Sequence, residues 1–167
     1  MDEKNLVISA AGGDKDAFAT LYTIYKDDLY RYAYFKLGNH EDARDAVASC
    51  ILEAYRGVGG LRSSGAFRPW IFRILYRCCL GYITEQSMQS GRADISELDR
   101  IPAENSSLSP ELKEAFDILS PQDRDIVLLS ALGGYNSREI ASVSGLKPAT
   151  VRSRLARALA KMKQFLE

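Results

Sequence analysis

Apolar residues recur at intervals of three and four along almost the whole chain, and no strand-length stretch alternates apolar with polar. A period near 3.6 gathers the apolar residues on one face of each helix, which constrains the chain to an all-α fold. A first helix is expected over about 14–37, with Phe18, Leu21, Tyr22, Tyr25, Leu29, Tyr32 and Ala33 inward and Gly38-Asn39 stopping it. Its tyrosines, Tyr30 and Tyr34 included, read mostly as core or helix-pair contacts. A second helix, about 40–58, turns Ala43, Ala46, Val47, Cys50, Ile51, Ala54 and Tyr55 inward. A Gly- and Ser-rich loop, 57–65, then leads to a third over about 66–84. The inner face of that helix is Phe67, Trp70, Ile71, Ile74, Leu75, Cys78 and Tyr82. Pro69 suits its first turn, where a missing N–H leaves no helical bond unmade.

Residues 86–108 are polar and carry no helical stripe, which marks a linker. Beyond it Leu112, Ala115, Phe116 and Leu119 form a short apolar stripe, and Ser120-Pro121-Gln122-Asp123 is a helix start. Ser120 can cap, Pro121 fits the first helical position, and Asp123 sets an anion near the positive helix end. The chain thus divides into two small helical domains, 1–85 and 109–167.

The last quarter carries the clearest functional signal. Asn136 followed by Glu139 resembles a capping box that opens one short helix, Ser144-Gly145-Leu146 breaks it, and a second helix follows. From Lys147 to Lys163 there are six basic residues and no acidic one. Ala141 allows close packing, Gly145 suits a left-handed turn, and Val151 anchors the second helix, with Ile140, Leu146 and Leu155 around it. That is the pattern of a helix-turn-helix, whose second helix enters the DNA major groove. Ala149, Thr150, Arg152, Ser153, Ala156 and Arg157 would face outward. Arginine can read guanine bidentately, and Ser or Thr can bond a phosphate or a base edge. The plainer alternative is a solvated basic helix whose cations suit the helix dipole.

Composition narrows the remaining classes. Apolar residues make up 46% and charged residues 26% of the 167, as in an ordinary globular protein. No apolar run approaches the roughly 20 residues of a membrane span. The acidic start does not read as a signal peptide, so an intracellular, cytoplasmic location is expected. Cys50, Cys78 and Cys79 form no disulfide framework and read as buried thiols. With a single histidine, His40, and no nucleophile set beside it, neither a metal site nor an enzyme is expected, and no cofactor motif is present. Net charge is zero, so any pull on nucleic acid comes from the local C-terminal patch.

Three segments in order resemble a bacterial RNA polymerase sigma factor of the sigma-70 superfamily, extracytoplasmic-function (ECF) type. They are DAFATLYTIYKDDLYRYAYFKLGNHEDARDAV, FRPWIFRILYRCCLGYI, and the stretch from LSPQDRD to RLARALAKMK. The resemblance implies two sigma domains, domain 2 before the linker and domain 4 after it. It implies that the chain binds core RNA polymerase and promoter DNA and is held by an anti-sigma factor. Domain 4 would read the −35 element through Arg152, Ser153, Ala156 and Arg157, with Thr150, Arg154 and Lys161 favouring phosphate. Domain 2 would open the −10 element through Leu61, Arg62, Ser63, Ser64, Phe67, Trp70 and Arg73. Phe67 and Trp70 stand equally well as core, given their spacing with Ile71 and Ile74. The second helix would dock on polymerase through Asp42, Asp45, Ser49, Glu53 and Arg56.

Two departures from the family pattern stand out. Ala48-Ser49 replaces the usual Gln-Glu pair on the docking helix, and Ile83-Thr84-Glu85-Gln86 replaces a basic run after the third. They favour the reading of a degenerate sigma-like interaction protein, while the likeness of the last domain to response-regulator helix-turn-helix domains keeps open a DNA-binding regulator that never meets polymerase.

Overall fold

The computed structural model describes residues 2–88 and 108–167, with side chains in the first stretch up to Tyr82. The described residues form eight α-helices and two 3-10 turns, with no strand among them.

The first domain is built on α2 (Lys15–Leu37), α3 (His40–Gly57) and α4 (Phe67–Met88). Asp14 caps α2 by accepting from the backbone N–H groups of Asp16 and Ala17, and Gly38 ends it in the left-handed conformation. The expected inner face of α2 is buried except for Tyr22, which stays exposed. Tyr55 on α3 is exposed as well. Both lie at the edge of their stripes, where a tyrosine can rest its ring and keep its hydroxyl wet. Cys50 and Cys79 are buried, whereas Cys78 is only half-buried.

A short helix not expected from the sequence precedes these, α1 (Glu3–Ala11). Asp2 caps it by accepting from the N–H of Asn5, and Leu6, Val7 and Ala10 pack it onto the domain. Tyr25 donates its hydroxyl to Glu3 at 2.7 Å, which ties α1 to α2. At its far end α4 runs to Met88, past the expected stop near 84 and into the first residues read as linker. The rest of that linker, 89–107, lies outside the described residues.

The second domain contains α5 (Pro110–Asp117), α6 (Pro121–Ala131), α7 (Ser137–Ser144) and α8 (Pro148–Leu166). Ser120 caps α6 as expected. Asn136 and Glu139 form the reciprocal capping box of α7 at 2.8 and 3.0 Å. Gly145 closes α7 with φ 79°, so α8 can turn steeply away. Ile140, Ala141 and Val151 are buried beneath the turn, and Ala158 and Met162 continue the buried face of α8.

Candidate nucleic-acid interface and docking face

The outer side of α8 is set by what its inner side holds. Val151, Ala158 and Met162 fix the helix against its domain, which leaves Ala149, Thr150, Arg152, Ser153, Ala156 and Arg157 exposed, as the spacing predicts. Arg152 and Arg157 engage no partner among the described residues, so both guanidinium forks stay available. Arg154 differs. Its Nε lies 2.7 Å from Asp123 Oδ1, and another of its N–H groups donates to Gln122 Oε1. An arginine held in this way braces α8 against the start of α6, with two of its five N–H groups engaged within the domain. Lys161 is exposed, with Nζ 3.4 Å from the Ile118 carbonyl. Asp123, Arg154, Arg157, Ala158 and Lys161 line one groove of about 350 Å³ beside the recognition face.

In the first domain the loop between α3 and α4 is made of 3-10 turns at Val58–Gly60 and Ser64–Ala66. Val58 is buried and pins the loop, while α1 passes close enough that a Cβ on Gly59 would lie 3.6 Å from the Ala11 carbonyl. Arg62, Ser63 and Arg73 are exposed, and Leu61, Ser64 and Trp70 are half-buried. Phe67 is a correction to the candidate set. It is 1% exposed, 5.2 Å from the Tyr25 ring and 5.7 Å from Trp70, so no base can reach its face. Its spacing with Ile71 had allowed either role, and burial decides for core. A residue the sequence reading passed over stands beside it. Arg68 lies at the start of α4 with its guanidinium 4.8 Å above the Tyr25 ring and 3.5 Å from Asp28.

The outer stripe of α3 presents Asp45, Ser49, Glu53 and Arg56, spaced one turn apart and all exposed. Asp42 does not join them. It is 6% exposed and its carboxylate accepts from Asn39 Nδ2 at 2.6 Å, while its own N–H donates to Asn39 Oδ1 at 2.8 Å. Asp42 therefore belongs to the start of α3, where a carboxylate offsets the positive helix end. The stripe also carries exposed Leu52 and Tyr55, the latter expected inward from its spacing. A groove of about 550 Å³ runs between α2 and α3, lined by Tyr22, Lys26, Asp27, Tyr30, Arg44, Val47 and Ala48.

No group of three His, Cys, Asp or Glu side chains among the described residues is arranged to hold a metal ion. Among the same residues no helix is long and apolar enough to cross a membrane.

Fold and surface together define a two-domain helical protein with a helix-turn-helix at its C-terminal end. Residues 21–88 match the family described as Sigma-70 region 2, and residues 109–162 match Sigma-70, region 4. With both regions matched in order, the chain belongs to the sigma-70 superfamily of RNA polymerase sigma factors, and several relatives it matches are ECF sigma factors. It is 30% identical to the ECF RNA polymerase sigma factor SigE of Mycolicibacterium smegmatis over 168 residues, covering 93% of this chain and 65% of that protein. The chain thus spans about two thirds of that relative's length. Among solved structures it resembles CnrH in complex with the cytosolic domain of CnrY, with TM-score 0.68 and 26% identity over 98% of this chain and 96% of that one. It shares the fold of the sigma factor RpoE in complex with the anti-sigma factor NepR from Bartonella quintana. There the TM-score is 0.71 and identity 21%, over 92% of this chain and 98% of that one.

Proposed function

We propose that the chain directs core RNA polymerase to one class of promoters and initiates transcription there. The observation that carries this reading is the pairing of two features in one chain. An exposed Arg152-Ser153-Arg157 face lies on a helix-turn-helix, and an exposed Arg62-Ser63 loop stands between α3 and α4. The first suits duplex readout and the second suits holding an opened strand. In this account residues 109–167 read the −35 element through Arg152, Ser153, Ala156 and Arg157, with Thr150 and Lys161 on phosphate. Residues 1–85 open the −10 element through Leu61, Arg62, Ser63, Ser64, Trp70 and Arg73. Asp45, Ser49, Glu53 and Arg56 meet polymerase, joined by Leu52 and Tyr55.

The protein acts as a cytoplasmic specificity subunit and performs no chemistry of its own. A protein partner of the anti-sigma kind completes the proposal, by analogy with RpoE and its NepR complex.

Ala48-Ser49 favours a second reading, in which the polymerase contact is impaired. Capture of purified bacterial core polymerase on the immobilised chain separates the two. The sigma reading expects capture, and a gain of less than about threefold from Ala48→Gln with Ser49→Glu. No capture by the native chain and strong capture by the double variant would favour the degenerate reading.

A further inference from the structure

Six cations and no acid lie between Lys147 and Lys163, so by charge alone α8 would hold any duplex. The structure brings an acid to it from another helix. Asp123, in the first turn of α6, meets α8 at Arg154, with Oδ1 2.7 Å from Nε. Gln122 Oε1 accepts from a second N–H of the same guanidinium. The Arg154 and Asp123 side chains are only 24% and 26% exposed, so water screens the pair less than it screens an open surface contact. Asp123 is itself fixed. Its N–H donates to the capping Ser120 Oγ at 3.2 Å, and its carboxylate suits the positive end of α6.

The pair lies at the edge of the reading face. Arg154, Arg157, Ala158 and Lys161 recur at three and four along one flank of α8, and with Asp123 they line the groove already described. Ala158, 2% exposed, is its floor, and Arg157 and Lys161 are exposed at its sides. Arg154 keeps three further N–H groups. A phosphate drawn to them also meets the Asp123 carboxylate, whose repulsion offsets much of the attraction.

Pairing therefore acts on DNA in two ways. Base readout needs the side chains of α8 placed within narrow limits, and a bond from its second turn to the start of α6 narrows them. Phosphate contact needs no such placement, because every register of a duplex offers one. An Arg154 released from Asp123 strengthens the hold on all sequences alike and loosens the helix that tells them apart.

We propose that Asp123 is a specificity-determining positioning residue, which fixes α8 through Arg154 and keeps that arginine from gripping phosphate. The proposal rests on the reading of α8 as the helix that reads the upstream duplex.

The test uses the full chain carrying Asp123→Ala, with circular dichroism to establish folding. Anisotropy titrations across a series of salt concentrations follow two labelled duplexes, one of random sequence and one selected by the native chain from a random pool. Affinity for the random duplex is expected to rise about fivefold at about 0.1 M salt, and its salt slope to steepen by about one counterion. Affinity for the selected duplex should not rise, so selectivity drops about fivefold or more. Loss of packing alone would weaken both duplexes and steepen neither slope. Asp123→Glu keeps a carboxylate within reach of Arg154 and should restore most of the selectivity. Adding Arg154→Gln to Asp123→Ala should abolish the gain on random DNA. Glu111→Gln removes an exposed acid of the same domain outside the groove and should change neither slope nor selectivity. Should Asp123→Ala fail to fold, Asp123→Asn keeps the shape, removes the charge, and should shift the slope the same way by less. An unchanged slope in a folded variant, or an equal gain from Glu111→Gln, would overturn the proposal. A pool selection by the native chain that yields no preferred sequence would overturn the reading of α8 itself, and the proposal with it.

Discussion

Arg152 and Lys161 lie nine residues apart on opposite flanks of α8, and DNA should feel their loss differently. Arg152 stands unpaired at the centre of the recognition face, so Arg152→Ala should cost about 1–3 kcal/mol on the preferred sequence and relax preference at one or two upstream positions. Lys161→Ala should weaken binding evenly across sequences and flatten the salt dependence by about one counterion. Titrations of specific and random duplexes at several salt concentrations read both effects, and equal losses for the two variants on both DNAs would remove the base-reading role. The same contrast holds in the first domain. Phe67→Ala should lower stability by about 3–5 kcal/mol, since it empties a site 1% exposed, whereas Arg62→Ala should leave the melting curve in place and act only on opened-strand binding. At this scale the sequence was legible wherever spacing alone decides exposure, as along α8. It was ambiguous wherever a side chain's partner comes from another element. Nothing in the spacing of Arg154 announces Asp123, and nothing near Asp42 on α3 tells a docking carboxylate from a capping one.

Turn chemistry carried the element scale. Ser120, the Asn136–Glu139 box and Gly145 are local signals, and the helices they delimit lie where those signals set them. Gly145→Ala puts a Cβ where no atom lies within 4 Å, so its cost is the left-handed backbone alone, about 1–2 kcal/mol, with the angle between α7 and α8 as the quantity at risk. Thermal unfolding together with upstream-element affinity checks this; a stable variant with unchanged affinity would show that the turn does not need glycine. The element missed was α1. Nine residues are too few to hold a helix by propensity, and its Asp2 cap and Leu6-Val7-Ala10 face act only because α2 and the loop at 58–66 are there to receive them. The end of α4 was misjudged for a related reason: a helix can outrun its apolar stripe once its earlier turns are anchored.

At the scale of the whole molecule, the two-domain division was legible from the polar stretch at 86–108, but the contact between the domains was not. Lys36 on α2 and Asp125 on α6, whose ammonium and carboxylate lie 2.7 Å apart, are ordinary charged residues in sequence, on helices whose apolar stripes say only which side faces their own core. Their meeting depends on how α2 lies against α6, and no periodicity encodes it. Promoter selection for core polymerase is the function at stake at this scale. Transcription by purified core polymerase from a randomised promoter library, with and without this chain, tests it most directly. Transcripts that depend on the chain and share two motifs, one upstream and one at the opened region, are expected, with Arg152→Ala blurring only the upstream motif. Transcripts that are indifferent to the chain, while it still binds duplex DNA, would contradict promoter selection by this chain.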